Sequence, residues 1–258
     1  MNQALQIRSA LASEQLPAPG QAWLQTLVAQ QPAQQRTMPA LVAAAKARLL
    51  ASDLATPGLF DTASPPPVFP RELLGPSSAS LQETRLTHDV VAQVVDLENL
   101  SQSRWQQVQA LEAIERGEQK RGREIIRVPA GGYGGGGDGD DDDDETDAGT
   151  ANGRPAARTA STGTSDASAT HRLVLQDAEG QTLFALELAR IYRIGIGRLR
   201  MGEKLLLKTG TVVARGTLLL EPASVKFLGG QVEPLHKTWV EGRLARLRSE
   251  AMAAGPRV

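Results

Sequence analysis

The sequence predicts an α+β fold: a small N-terminal three-helix domain, then a mainly β domain that carries a long disordered insertion and ends in a C-terminal helix. Three observations carry this. Apolar residues recur at one-and-four spacing through the first 54 positions. Beyond residue 170 they fall instead in short runs divided by Gly, Pro and Asp. Between these regions, residues 131–170 contain no Leu, Ile, Val, Phe, Met or Trp. The first pattern gathers side chains on one face of a helix, the second suits strands, and the third has nothing to bury.

Taken in order, Ile7 and Leu11 mark a first helix, and Trp23, Leu24, Leu27 and Val28 a second. Leu41, Val42, Ala45, Leu49 and Leu50 mark a third, with Thr37 placed to cap it and Pro39 in the first turn, where its missing N–H does no harm. A bundle of about 50 residues is marginal alone, so it is expected to dock on something. Residues 55–80 hold six prolines and read as a linker. THDVVAQVVD then suits a strand, and Trp105, Val108, Leu111 and Ile114 a short amphipathic helix. HRLVLQD, QTLFALEL, EKLLLK and GTLLLEPASVKFLGGQV read as strands of a small antiparallel sheet or barrel, and PLHKTWVEGRLARLRSEA as the closing helix.

The formal charge of -1 conceals an uneven distribution. Residues 1–137 carry 12 bases and 12 acids, 138–147 carry eight acids and no base, and 148–258 carry 16 bases against 9 acids. The basic C-terminal part suits a polyanion or an acidic partner, with a solvated surface as the plainer alternative. Cysteine is absent, which excludes disulfides, thiolate nucleophiles and Cys-ligated metals. No stretch nears the ~20 apolar residues of a membrane span, and the N-terminus lacks the apolar core of a signal peptide, so a soluble intracellular chain is expected.

Ordering residues 131–170 costs about 1 to 2 kcal/mol each in backbone entropy, with only Tyr133 to bury, so disorder is predicted there. Arg123–Val128, just before it, has the make-up of a strand. The strand preceding the insertion needs partners that only later strands supply, so the insertion is a loop thrown out of one β-domain. A tether of this length spans about 35 Å root-mean-square, and its like charges extend it. The run DGDDDDDE lacks the glycine and glutamate placement of an EF-hand loop. GIGRLRMG opens no helix and GGYGGGG lacks the Lys-Ser/Thr of a phosphate loop, so neither reads as a nucleotide site. His88, His171 and His236 have no ligand-like spacing, and no catalytic constellation, metal or cofactor is expected.

DLENLSQSRWQQ, HRLVLQDAEGQT, EKLLLKTGTVVARGTLLLEPASVKFLGGQVEPL and the basic final helix resemble the RecQ-mediated genome instability protein 1 family, and ERGEQKRGREIIRV resembles its fungal branch. The resemblance covers residues 20–54, 81–130 and 171–250, and GTLLLEPASVKFLGG is its most specific piece. It implies a helical domain at 1–54, the linker at 55–80 and an OB-fold at 81–250. It also implies a nuclear, non-catalytic partner of type IA topoisomerase III and a RecQ-type helicase that promotes dissolution of double Holliday junctions. In that family a loop between the first two OB strands reaches the topoisomerase gate; here the acidic glycine segment holds that place.

Two residue sets follow. Gly202-Glu203-Lys204 matches a family turn ending in Gly-x-Lys, with Met201 in place of the usual proline. Strand alternation turns Val174, Leu183, Leu206 and Leu219 outward and Phe184 into the core, which leaves an apolar patch rimmed by Lys204 and Lys208. The expected topoisomerase contacts are thus Lys204, Leu206 and Lys208, with Arg123, Ile125, Arg127 and Tyr133 beside the loop; the alternative is that a helix simply covers this face. Arg193, Arg198 and Arg200 form the second set, phosphate contacts to single-stranded or junction DNA, against a solvated connection as the alternative. With Phe184 inside, no base-stacking platform is expected on the outer face.

Overall fold

The computed structural model describes residues 3–32, 37–117 and 169–253. Helices α1 (Gln3–Ser13), α2 (Gln21–Gln30) and α3 (Met38–Ala51) converge on Ile7, Leu11, Leu24, Leu27, Leu41, Ala45 and Leu49. Their one-and-four spacing places each on the face turned toward its neighbours. Thr37 does precede α3, but it caps through its backbone carbonyl, which accepts from Leu41 N–H at 3.0 Å; its side chain makes no cap bond.

Residues 55–80 form no strand and no α-helix, as their prolines dictate, yet they are fastened at both ends. Leu59 is buried in the helical core, and Phe69 and Leu73 in the barrel core. Asp177 explains the second anchor. Fully buried after the third strand named below, its carboxylate accepts from Phe69 N–H at 2.9 Å and from the N–H groups of Glu179 and Gln181.

The β-domain comprises β1 (Thr84–Arg85), β2 (Val90–Asn99), β3 (His171–Gln176), β4 (Thr182–Glu187), β5 (Lys204–Leu207), β6 (Val212–Ala214), β7 (Thr217–Leu220) and β8 (Val225–Gly229). Helix α4 (Arg104–Glu115) follows β2, and α5 (Glu233–Ala253) ends the described chain. The eight strands lie in the order β1-β6-β7-β4-β3-β2-β5-β8. β5 and β6 stand near opposite ends of that order but are joined by residues 208–211 alone, so the sheet must curl back toward itself. Asp89 pins that corner: its carboxylate accepts from the N–H and hydroxyl of Thr209, each at 2.8 Å, which holds its pKa below the usual value.

Alternation puts Leu173 and Leu175 of β3, Leu183 and Ala185 of β4, Leu205 and Leu207 of β5 and Leu218 and Leu220 of β7 into one core. β4 and β7 run parallel; the other pairings are antiparallel. The expected pairing across the insertion is present: Val94 faces Leu175, Leu97 faces Leu173, and Asn99 faces His171. Next to them Leu100 N–H donates to Thr170 O at 2.9 Å, so the chain departs and returns at one corner of the barrel. The predicted disordered insertion at 131–170 and the strand-like Arg123–Val128 fall within or almost wholly within 118–168, outside the described residues.

The register of β2 slips between Val94 and Asp96, a bulge that turns the Asp96 carboxylate toward α5. It accepts from Trp239 Nε1 at 2.6 Å and from Arg246 at 3.0 Å. α4 begins in a capping box, Ser103 with Gln106, and packs against α5 through Gln107–Arg243 and Glu112–Arg248.

Candidate functional site

The outer faces of β2 and β5 lie side by side and meet the end of α3. Val91 faces Leu206 and Gln93 faces Lys204 across the ladder. Leu54, just past α3, buries Val91 and Leu206, each burial stabilising by about 1.5 to 3 kcal/mol. Gln93 has its amide oxygen bonded to Leu54 N–H at 3.1 Å and its amide nitrogen to Asp53 at 2.6 Å and Gln176 at 2.9 Å.

Lys204 is 1 % exposed. Its ammonium has three N–H donors and spends them on three carbonyls: Leu50 at 2.8 Å, Ser52 at 2.6 Å and Gly202 at 2.7 Å. The oxygens of Leu50 and Ser52 stand at the C-terminal end of α3, where helix carbonyls lack internal partners and the helix dipole is negative. The lysine is therefore a cap supplied by the barrel to a helix of the other domain. Burial pushes its pKa down to about 8, with Asp53 opposing. Gly230 packs into the same seam, where a Cβ would stand 2.3 Å from Leu50 O. Beside it an apolar groove of about 250 Å³ opens between Leu16, Pro17, Pro66, Pro67, Val91 and Leu206.

Lys204 and Leu206 consequently do not form the exposed patch that strand alternation suggested. They do face out of the barrel, but the end of the helical domain covers them. Lys208 remains exposed, its ammonium on Ala223 O at 2.8 Å. Arg123, Ile125, Arg127 and Tyr133, with the acidic run 138–147, lie outside the described residues.

The arginine-rich connection from β4 to β5 divides by role. Arg193 grips the buried Glu203 carboxylate through Nε at 2.9 Å and a terminal nitrogen at 2.6 Å, and lies 5.2 Å from the Phe227 ring centre. Arg190 bonds Glu187 at 2.6 Å and Ile194 O at 2.9 Å, while the other Glu187 oxygen meets buried His171 Nδ1 at 3.0 Å. Arg200 stands near His236. Arg198 is exposed, with its guanidinium 4.5 Å from the ring centre of Tyr192, itself 77 % exposed.

The outer face of β3 and β4 corrects a second expectation. Phe184 is not core: it is 48 % exposed, with the Arg172 guanidinium 5.0 Å from its ring centre. Leu183, expected outside, is buried. The inward set on β4 is Leu183, Ala185 and Glu187, and the buried Glu187 is the reason: a carboxylate bonded to His171, Arg190 and Ile191 N–H occupies a position that alternation by apolarity assigned elsewhere. Among the described residues, no group of three or more His, Cys, Asp or Glu is placed to hold a metal ion.

Comparison with known proteins agrees with this architecture. The family model for the N-terminal OB-fold domain of RMI1 matches residues 69–243, and that for the RMI1 N-terminal helical domain matches residues 11–57. A curated relative, RecQ-mediated genome instability protein 1 of Schizosaccharomyces pombe, is 38% identical over 73 residues, 28% of this chain and 30% of the yeast protein. With an OB-like curled sheet, a helical domain capped by it, and family matches across both, the chain belongs to the RecQ-mediated genome instability protein 1 family of genome-stability proteins.

Proposed function

We propose that the chain acts in the nucleus as a non-catalytic subunit that joins a type IA topoisomerase III to a RecQ-type helicase and promotes decatenation and dissolution of double Holliday junctions. The observation that carries this reading is the family match across both domains, together with the place of the insertion. Residues 118–168 fall between α4 and β3, and the bond from Leu100 to Thr170 joins the end of β2 to the start of β3 at one corner of the barrel. A segment whose return is fixed at that corner would suit a probe entering a partner's opening. Its eight acids between 138 and 147 complement basic residues at a DNA-handling gate. Arg123, Ile125, Arg127 and Tyr133 would contact the topoisomerase with Lys208, whereas Lys204 and Leu206 would contribute by holding the helical domain in place.

The test is co-purification with topoisomerase III, using the full chain and a variant in which a short neutral turn replaces 131–170. Both should bind the enzyme, and only the full chain should stimulate decatenation. Failure of the full chain to co-purify overturns the reading; equal stimulation by the two removes the role of the segment.

A further inference from the structure

Helix α1 ends on a residue that its turn does not favour. Gln15 N–H donates to Ala12 O at 2.9 Å and Leu16 N–H to Leu11 O at 3.0 Å, the paired bonds of a Schellman turn. The residue at that turn takes a left-handed backbone, for which glycine is the relaxed choice, yet Gln15 holds it at φ 64°. Its side chain has a use that glycine lacks: the amide oxygen accepts from Lys226 Nζ of β8 at 2.6 Å. That bond crosses from the helical domain to the barrel at the rim of the apolar groove described above, which Gln15 helps to line.

Three separate parts of the chain build this groove of about 250 Å³: Ala12 and Leu16 of the helical domain, Pro66 and Pro67 of the linker, and Val91 and Leu206 of the barrel. Its volume exceeds the ~150 Å³ that admits a benzene-sized group and falls short of the ~300 to 1,000 Å³ usual for small-molecule sites. The one ionisable side chain that lines it, Asp89, is engaged by Thr209, so no convergent polar groups are left to orient a metabolite. No aromatic ring lines it either, so it offers nothing for a base to stack on. Its size suits one aromatic or large aliphatic side chain, and its proline walls are already rigid, so little ordering accompanies entry.

Charge selects among peptides. Lys226 lies directly opposite Leu206 in the ladder and Lys208 two residues beyond it, so both share the outer face with the groove floor. Both are exposed, and their ammonium groups donate to neutral oxygens, those of Gln15 and Ala223. A carboxylate is a stronger acceptor than either. We propose that the groove docks an extended segment of a partner protein, with one large apolar side chain inserted between Leu16, Pro66 and Leu206 and acidic neighbours paired with Lys226 and Lys208. In the free chain Gln15 holds Lys226 at the rim, ready for exchange.

The experiment is fluorescence anisotropy of the purified full chain with a short fluorescein-labelled peptide, a central phenylalanine flanked on both sides by aspartates and glutamates. Saturable binding is expected. Replacing the phenylalanine by serine should lower affinity about 10- to 100-fold, the effect of one buried aromatic side chain. Ala12→Trp, which fills the groove from an exposed helical position, should abolish binding. Lys226→Glu should lower affinity about 3- to 10-fold and reduce its sensitivity to salt. Both positions are exposed, so unchanged thermal unfolding midpoints serve as the folding control. Neither is assigned to topoisomerase contact, so unchanged co-purification keeps this result distinct from the proposed function. Failure of the wild type to bind the peptide overturns the proposal, as does equal affinity for the serine peptide or undiminished binding by Ala12→Trp. Dimerisation of the wild type that Ala12→Trp removes, with no peptide bound, would show the occupant to be a second copy of the chain instead.

Discussion

The ammonium of Lys204, on the fifth strand of the barrel, donates to the carbonyl of Leu50 at the end of the third helix, 2.8 Å away. Residues 154 positions apart thus share one bond, and Ser52 and Gly202 accept the remaining two protons. Lys204→Met keeps the aliphatic stem and strands three carbonyls, each costing about 1 kcal/mol or more when buried and unmet. We expect a loss on the order of 3 kcal/mol in urea unfolding and faster proteolytic cleavage between residues 55 and 80. Unchanged cleavage would show that the docking does not depend on this lysine.

The same lysine predicts a pH dependence. Its pKa is about 8 in the folded chain against 10.5 as the ordinary value, so between those limits the unfolded chain binds the proton more often. Stability credited to Lys204 must therefore rise with pH through that window, by on the order of 1 to 3 kcal/mol. Measured as the difference in unfolding free energy between wild type and Lys204→Met, the gap should widen from pH 7.5 to pH 10. A flat or shrinking gap contradicts the assignment.

Gly230 has φ +88°, and a Cβ there would meet Leu50 O at 2.3 Å. Gly197 has φ +84° with nothing within 4 Å. The two separate backbone strain from collision. Gly197→Ala should cost about 1 to 2 kcal/mol from conformation alone, and Gly230→Ala clearly more, since helix α3 must shift to admit the methyl group. Equal melting temperatures for the two variants would mean the seam yields freely.

Asp177 organises the turn after β3 and anchors Phe69. Asp177→Ala leaves three N–H groups without their acceptor, for a loss of about 3 kcal/mol. Asp177→Asn should restore only part of it, because an amide nitrogen cannot accept from Phe69 N–H. Hydrogen exchange at Phe69 reports this directly: it should quicken in both variants, and protection retained in the alanine variant argues against the anchor.

Much of this was legible in the sequence. One-and-four spacing located α1 to α3, a three-residue spacing α4 and an amphipathic run α5, and apolar runs between Gly and Pro located β3, β4, β5, β7 and β8. Such spacings report burial directly. The two-residue β1 and three-residue β6 were too short to register as runs. The errors cluster where a charged group is buried. Glu187 points inward because His171 and Arg190 satisfy it, so phasing β4 by apolarity reversed its faces and hid Phe184. All four residues of β5 are buried, one side by the barrel core and the other by the helical domain, which left EKLLLK without alternation to read. Lys204 is inside because the carbonyls of α3 await it, a circumstance set by a segment more than 150 positions away. Nothing local announces it.

The clasp between Leu100 and Thr170 has a consequence for how this lineage can vary. Ring closure becomes entropically dearer only with the logarithm of ring size, about 0.6 kcal/mol for each doubling. Lengthening or shortening residues 118–168 should therefore leave the barrel's melting almost untouched. The length of this segment is then free to be tuned by insertion and deletion, while the barrel that carries it stays constant.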